Sequence, residues 1–355
     1  MIYIYKRLQN GYTFLYQNQY NMDKALQKVC ETYINNRDEM RRILRSSGAP
    51  MHLMGAAVLT ALEKKPDEKK LLEAEKLLQE REPEDSPIRG RIKSVTTVHM
   101  MLADDAEAYY RDLRRTHDLI HVNRGRDDER YYMAAMMMSE KIANMQEILQ
   151  LVDRTAVIHE NMGKSFMSQE DRSSYVIAAF AAVNGVMNVR QYVEDVNLCK
   201  EYLVEAGVFE SDSVDELSML LAISPADNKM SCDLTVKILE AIRAKGFSFD
   251  NSEEAAMLAF LAALNMPADE IARAVYDADE FLAQHSGFTE GRGLILRHVY
   301  ACMLVILCYT GKHAWGDFAG RVASDAEVLK RMVLMQSQSV MHIQMEYVDV
   351  EDLHI

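Results

Sequence analysis

Turn-forming residues are scarce in this chain. Six prolines and fifteen glycines among 355 residues are too few for the frequent tight turns of an all-β protein. The five cysteines (Cys30, Cys199, Cys232, Cys302 and Cys308) are an odd number, have no CxxC spacing and lie scattered through apolar segments. That distribution argues against a disulfide framework or a cysteine-based zinc site and fits reduced, buried thiols in a cytoplasmic protein. Basic side chains are outnumbered, 40 against 54 acidic, for a formal charge of −14. Such a field repels phosphate backbones, so no nucleic-acid partner is expected. The four arginines Arg37, Arg41, Arg42 and Arg45 are spaced to form a local basic patch, yet a solvated helix face accounts for them equally simply. No apolar signal region develops after Met1, because Arg7, Gln9 and Asn10 interrupt it. The most membrane-like stretch, 299–309, falls far short of the roughly 20 residues a spanning helix requires, so no membrane partner is expected either. Nucleophile-elbow, P-loop and dinucleotide fingerprints are all missing.

What the chain does contain is a repeated helical pattern. Gly207-Val-Phe209, Gly246-Phe247 and Gly287-Phe288 punctuate it at intervals of 39 and 41 residues. Between them, Ser213-Val-Asp-Glu216 and Asn251-Ser-Glu-Glu254 read as helix starts, with Ser213 and Glu216 placed to satisfy backbone donors. Each start leads into an apolar run, a proline corner at Pro225 or Pro267, and an amphipathic segment. Glycine can close a helix in the left-handed conformation, and a repeat of about 40 residues is the length of a helical hairpin. The expected fold is therefore all-α: antiparallel hairpins stacked as an α-solenoid-like array of the HEAT/armadillo kind, because hairpins this apolar need neighbours to cover them. The organisation expected is an N-terminal arm over 1–20, an N-terminal helical region over 21–162 and a C-terminal helical-repeat region over 163–355, the last read as one continuous array because the same pattern runs through it. Spacing predicts one or two helices across 131–158 and a last helix over 323–341.

Ser165-Phe-Met-Ser-Gln-Glu-Asp-Arg-Ser-Ser-Tyr-Val-Ile-Ala-Ala-Phe180 and Asp215-Glu-Leu-Ser-Met-Leu-Leu-Ala-Ile-Ser-Pro-Ala-Asp-Asn228 resemble a bacterial family of helical proteins classed as a domain of unknown function. A fainter similarity continues through 255–264, so the likeness falls mainly on residues 163–290. The resemblance implies a helical cytoplasmic protein of similar length and carries over no catalytic residue.

Two sets of residues stand out as candidate sites. His117-Asp-Leu-Ile-His121 places two imidazoles on one helix face, the spacing of H-E-x-x-H zinc peptidases with Asp118 in the position of the general base. Glu140 or Glu160 is the available third ligand. The same helix carries Tyr110, Leu113 and Ile120 on the stripe of His117, which equally describes a buried structural histidine. The second set is the pair of corners holding Asp227 and Asp269, which stacking would bring to one edge as part of a partner groove; ordinary turn chemistry also explains them. Asp104-Asp105 reads as a cation site or as a helix cap. The 24 methionines fill gaps between helices or line adaptable surfaces. The expectation drawn from these residues is a protein- or peptide-binding scaffold without catalytic activity or cofactor. The alternatives are a zinc-dependent hydrolase using His117 and His121, and a small-molecule sensor with an interhelical pocket lined by Met and Tyr.

Overall fold

The computed structural model describes residues 22–44, 51–124, 129–139, 145–163, 173–209, 211–223, 227–247, 249, 252–288, 292–310 and 332. Every regular element among them is a helix: α1 (Lys24–Ile43), α2 (Met51–Ala61), α3 (Glu68–Arg81), α4 (Lys93–Leu102), α5 (Ala106–Arg124), α6 (Glu129–Ser139), α7 (Met145–Gly163), α8 (Ser173–Val183), α9 (Val189–Ala206), α10 (Ser211–Leu221), α11 (Asn228–Ala244), α12 (Ser252–Ala263), α13 (Ala268–Leu282) and α14 (Arg292–Tyr309). The described residues are all-helical in their regular structure, as the scarcity of turn formers implies. The expected arm over 1–20 and the expected helix over 323–341 fall outside the described residues, apart from Met332.

Odd- and even-numbered helices differ in chemistry. The even ones up to α12 are 10 to 12 residues long, and most of the even helices are buried on nearly all sides. Residues 175–183 of α8, 131–138 of α6 and 254–262 of α12 are buried without a break. The odd ones are amphipathic: α3 buries Leu71, Ala74 and Leu78, while α11 buries Cys232, Thr235, Ile238, Leu239 and Ile242. Their remaining faces carry Lys, Glu and Asp to solvent.

Packing follows that division. Each odd helix lies against the even helix that follows it, from α1 on α2 to α13 on α14. Even helices also touch one another (α2 with α4, then α6, α8, α10, α12 and α14 in succession), as do odd ones from α5 through α13. Contacts run across residue 163, where α6 and α7 both meet α8. The methionines of 133 and 136–138 are fully buried within this packing, consistent with gap filling.

The last described helices return to the first. Both α13 and α14 pack on α1. Tyr33 stacks on Tyr300 with ring centroids 5.4 Å apart and lies 6.5 Å from Phe288. Arg37 sits over the Phe288 ring at 5.7 Å and donates to the Ser286 carbonyl at 2.9 Å. Arg37 is thus buried, and Arg42 is bound to Glu39 and Glu68, so these two do not form a free basic patch with Arg41; Arg45 lies outside the described residues.

Helix starts are set locally. Side chains of Asp23, Asp67, Asn188 and Asp227 accept from backbone N–H groups in the first turns of α1, α3, α9 and α11. Asp105 accepts from Ala108 N at 2.9 Å, which makes it a helix cap. One expected start moves. Helix α10 begins at Ser211, so Ser213 lies inside its first turn rather than before it.

Candidate functional site

The most concentrated buried charge lies where α12, α13 and α14 meet. Glu254 enters from the first turn of α12, Asp279 from the last turn of α13, and Arg297 and His298 from the second turn of α14. Glu254, Asp279 and His298 are all buried. His298 Nδ1 stands 2.5 Å from Glu254 Oε1, and its Nε2 is 3.9 Å from Asp279 Oδ1. Arg297 donates to Asp279 at 2.8 Å and to the Phe288 carbonyl at 3.2 Å. Phe249 stacks on the His298 imidazole, with centroids 5.9 Å apart, and Phe247 meets it edge-on at 5.0 Å. Two carboxylates, an imidazole and a guanidinium thus balance one another under aromatic cover, as buried charges must. Burial raises the Asp279 carboxyl above its ordinary range, against the pull of Arg297 and His298. Cys302 lies one helical turn beyond His298, and burial, with Glu254 and Asp279 nearby, holds its thiol protonated far above its ordinary value. A thiol so held is no nucleophile. The chemistry of the cluster is to join three helices.

A second ionic centre includes His117. Glu82, buried at the end of α3, accepts from Tyr110 at 2.5 Å and from Ser86 at 2.7 Å. Arg114 Nη1 lies 3.5 Å from the same carboxylate, and Arg114 also hydrogen-bonds the Tyr132 hydroxyl. His117 lies face to face on Tyr132, with centroids 3.7 Å apart and planes 8° from parallel, and its ring is 5.9 Å from that of His121. The sequence pair is therefore brought together, within a stacked column of rings. Asp118 is exposed, 3.8 Å from His117 Nδ1 and 3.7 Å from Arg114. Glu160 is on the exposed face of α7, and Glu140 lies outside the described residues. Among the described residues no three His, Cys, Asp or Glu side chains converge as a ligand set.

Asp227 and Asp269 stand at the starts of α11 and α13, two helices in contact, and both are exposed. Asp227 accepts from Met230 N at 2.9 Å. Asp269 lies in the first turn of α13, where a negative charge complements the helix dipole. A groove between α3 and the start of α5 is lined by Glu73, Lys76, Leu77, Glu80, Asp105 and Glu107, with neither Met nor Tyr among them.

Neither ionic centre was readable as a unit. Glu254 reads locally as a capping glutamate, and Arg297-His298 as the polar end of an apolar run. The available signal was that charged pair at the head of residues 299–309, which must be matched by something when the helix is buried.

Residues 36–317 match the family described as protein of unknown function (DUF4003). The chain belongs to this family. DUF4003 thus spans every described helix from within α1 to α14, extending well beyond the stretch over which the sequence resemblance was drawn. No curated protein and no solved structure gives a significant match to this DUF4003 chain. Among the described residues no helix is long and apolar enough to cross a membrane.

Proposed function

We propose that the chain is a non-catalytic helical-repeat scaffold, its helix pairs stacked into a ring closed by α1, and that the outer face of α7, α9 and α11 binds a partner protein. The supporting observation is where apolar side chains remain exposed. Seven large ones are exposed among the described residues, and six of them belong to this face or its edge: Leu149, Val157, Met187, Leu198, Val204 and Met230. The three helices are successive neighbours. Apolar side chains exposed singly need no explanation, whereas their concentration on one layer marks an interaction surface. Met187 and Met230, 71 % and 59 % exposed, are flexible enough to adapt to a partner. Around them stand exposed Glu147, Asp153, Glu194, Glu201, Glu205 and Asp233, so the matching partner surface carries apolar anchors among Lys and Arg. Asp227 and Asp269 lie at the edge of this face, at the starts of α11 and α13.

Capture from native cells with cross-linking mass spectrometry tests the reading. A specific partner cross-links to α9 and α11, and the triple variant Leu198→Glu, Val204→Glu, Met230→Glu loses it more than tenfold while keeping wild-type circular dichroism. Asp227→Lys with Asp269→Lys weakens capture by a smaller factor. Unchanged capture by the triple variant would sink the proposal.

A further inference from the structure

Two of the five buried cysteines face each other across a packed pair of helices. Cys199 lies on the buried stripe of α9 with Tyr192, Val196 and Leu203, and Cys232 on that of α11 with Thr235 and Ile238. The register is fixed one turn earlier, where Asn228 of α11 donates to Asp195 of α9 at 3.0 Å. One turn further along both helices, positions 199 and 232 form the next rung. There the Cys232 thiol donates to the Cys199 carbonyl oxygen, with Sγ 3.9 Å away, and the two thiols lie close enough to interact. Interaction with Cys232, together with burial, holds the Cys199 thiol protonated, while interaction with Cys199 lowers the Cys232 thiol from its ordinary value of 9.0 against the opposing effect of burial, so Cys232 is the readier of the two to lose its proton. A nucleophilic thiolate beside a resolving thiol is the arrangement that disulfide exchange requires. Cys232 is buried near the start of α11 with exposed Lys229 and Asp233 beside it, so a reagent reaches it when that end of the helix opens locally.

We propose that Cys199 and Cys232 are a redox-modifiable dithiol, which small-molecule disulfides convert into a covalent link between α9 and α11. The Cys232 thiolate attacks one sulfur of RSSR, forming a mixed disulfide and expelling RS⁻. Cys199 then attacks the Cys232 sulfur, loses its proton, and expels the second RS⁻. Two protein thiols and one RSSR become one protein disulfide and two RSH. This inference does not depend on the scaffold reading.

The full chain is incubated with oxidised glutathione, blocked with N-ethylmaleimide without reduction, digested with trypsin and mapped. The expected product joins the peptides 191–200 and 230–237 with the loss of two hydrogen atoms and is reversed by dithiothreitol. The link raises the melting temperature by roughly 5 °C, because it restricts the unfolded chain. Cys199→Ser, lacking the resolving thiol, retains glutathione on Cys232, whereas Cys232→Ser takes up none at Cys199. The proposal is overturned if the two peptides stay unlinked in folded protein under excess oxidised glutathione. It is equally overturned if they link only after denaturant is added, or if Cys232→Ser is modified at Cys199 as fast as the wild type.

Discussion

Asp279 is pulled in two directions. Burial disfavours its charge, while Arg297 at 2.8 Å and the neighbouring His298 favour it, and burial prevails. Its folded-state value therefore lies above the ordinary 3.8. The sign follows from linkage: a carboxyl that binds its proton more tightly when folded adds stability below 3.8, and that contribution is lost as pH rises through the raised value. Asp279→Asn removes this dependence and keeps an oxygen for Arg297. Melting curves taken from pH 3 to 7 (a window chosen about the ordinary carboxyl range) should show the wild type losing ground to the variant as pH rises, most steeply just above 3.8. A constant difference between the two across that window would refute the argument. The same residue illustrates what the sequence discloses. Asp227 was readable as part of a proline corner because such a turn spans a few residues of continuous chain. Glu254 and His298 meet across 44 residues, and no local pattern reports such a contact. His117 and His121 were readable as neighbours because a helix places them so, but Tyr132, which covers one of them, comes from the next helix.

Helix identity was legible because punctuation and apolar spacing are local. Gly207, Gly246 and Gly287 all have positive φ, and each follows the end of an odd helix. They are not equivalent. Gly207 has φ 65°, within the left-handed region that other residues enter at modest cost, whereas Gly246 has φ 98°, outside it. No heavy atom lies within 4 Å of a Cβ built at either position, so crowding does not enter the comparison. Gly207→Ala should cost about 1 kcal/mol and Gly246→Ala about 2 kcal/mol. Urea denaturation of both variants checks the order, and an equal loss would show that the turn after α11 relaxes into the ordinary left-handed well. The misplaced start of α10 has the same local origin. Ser213 with Glu216 satisfies the capping pattern, but Ser211 and Asp212 just before it also favour a helix start, and the helix extends to the earlier position.

The contact of α13 and α14 with α1 was the least legible feature, for a physical reason. A repeating apolar pattern states that each helix pair must be covered; it does not state what covers the first and the last. An open array leaves both ends to polar capping units. Here α13 and α14 lie on α1, joined by Tyr33, Tyr300, Phe288 and Arg37. Tyr33 is fully buried at this seam. Tyr33→Ala leaves a cavity and should cost about 3–5 kcal/mol. The spatial pattern of that loss separates an open array from a ring. If the ends are independent, the damage stays with α1 and its partner α2. If α1 is the shared cover of both ends, α13 and α14 are loosened with it. Hydrogen exchange by mass spectrometry resolves the two cases. Protection in 268–282 and 296–309 should fall together with that in 24–43, and sooner than in 145–163, which makes no contact of note with the seam. Unchanged protection in α13 and α14 would mean that their contact with α1 is present in the structure but carries little of their stability.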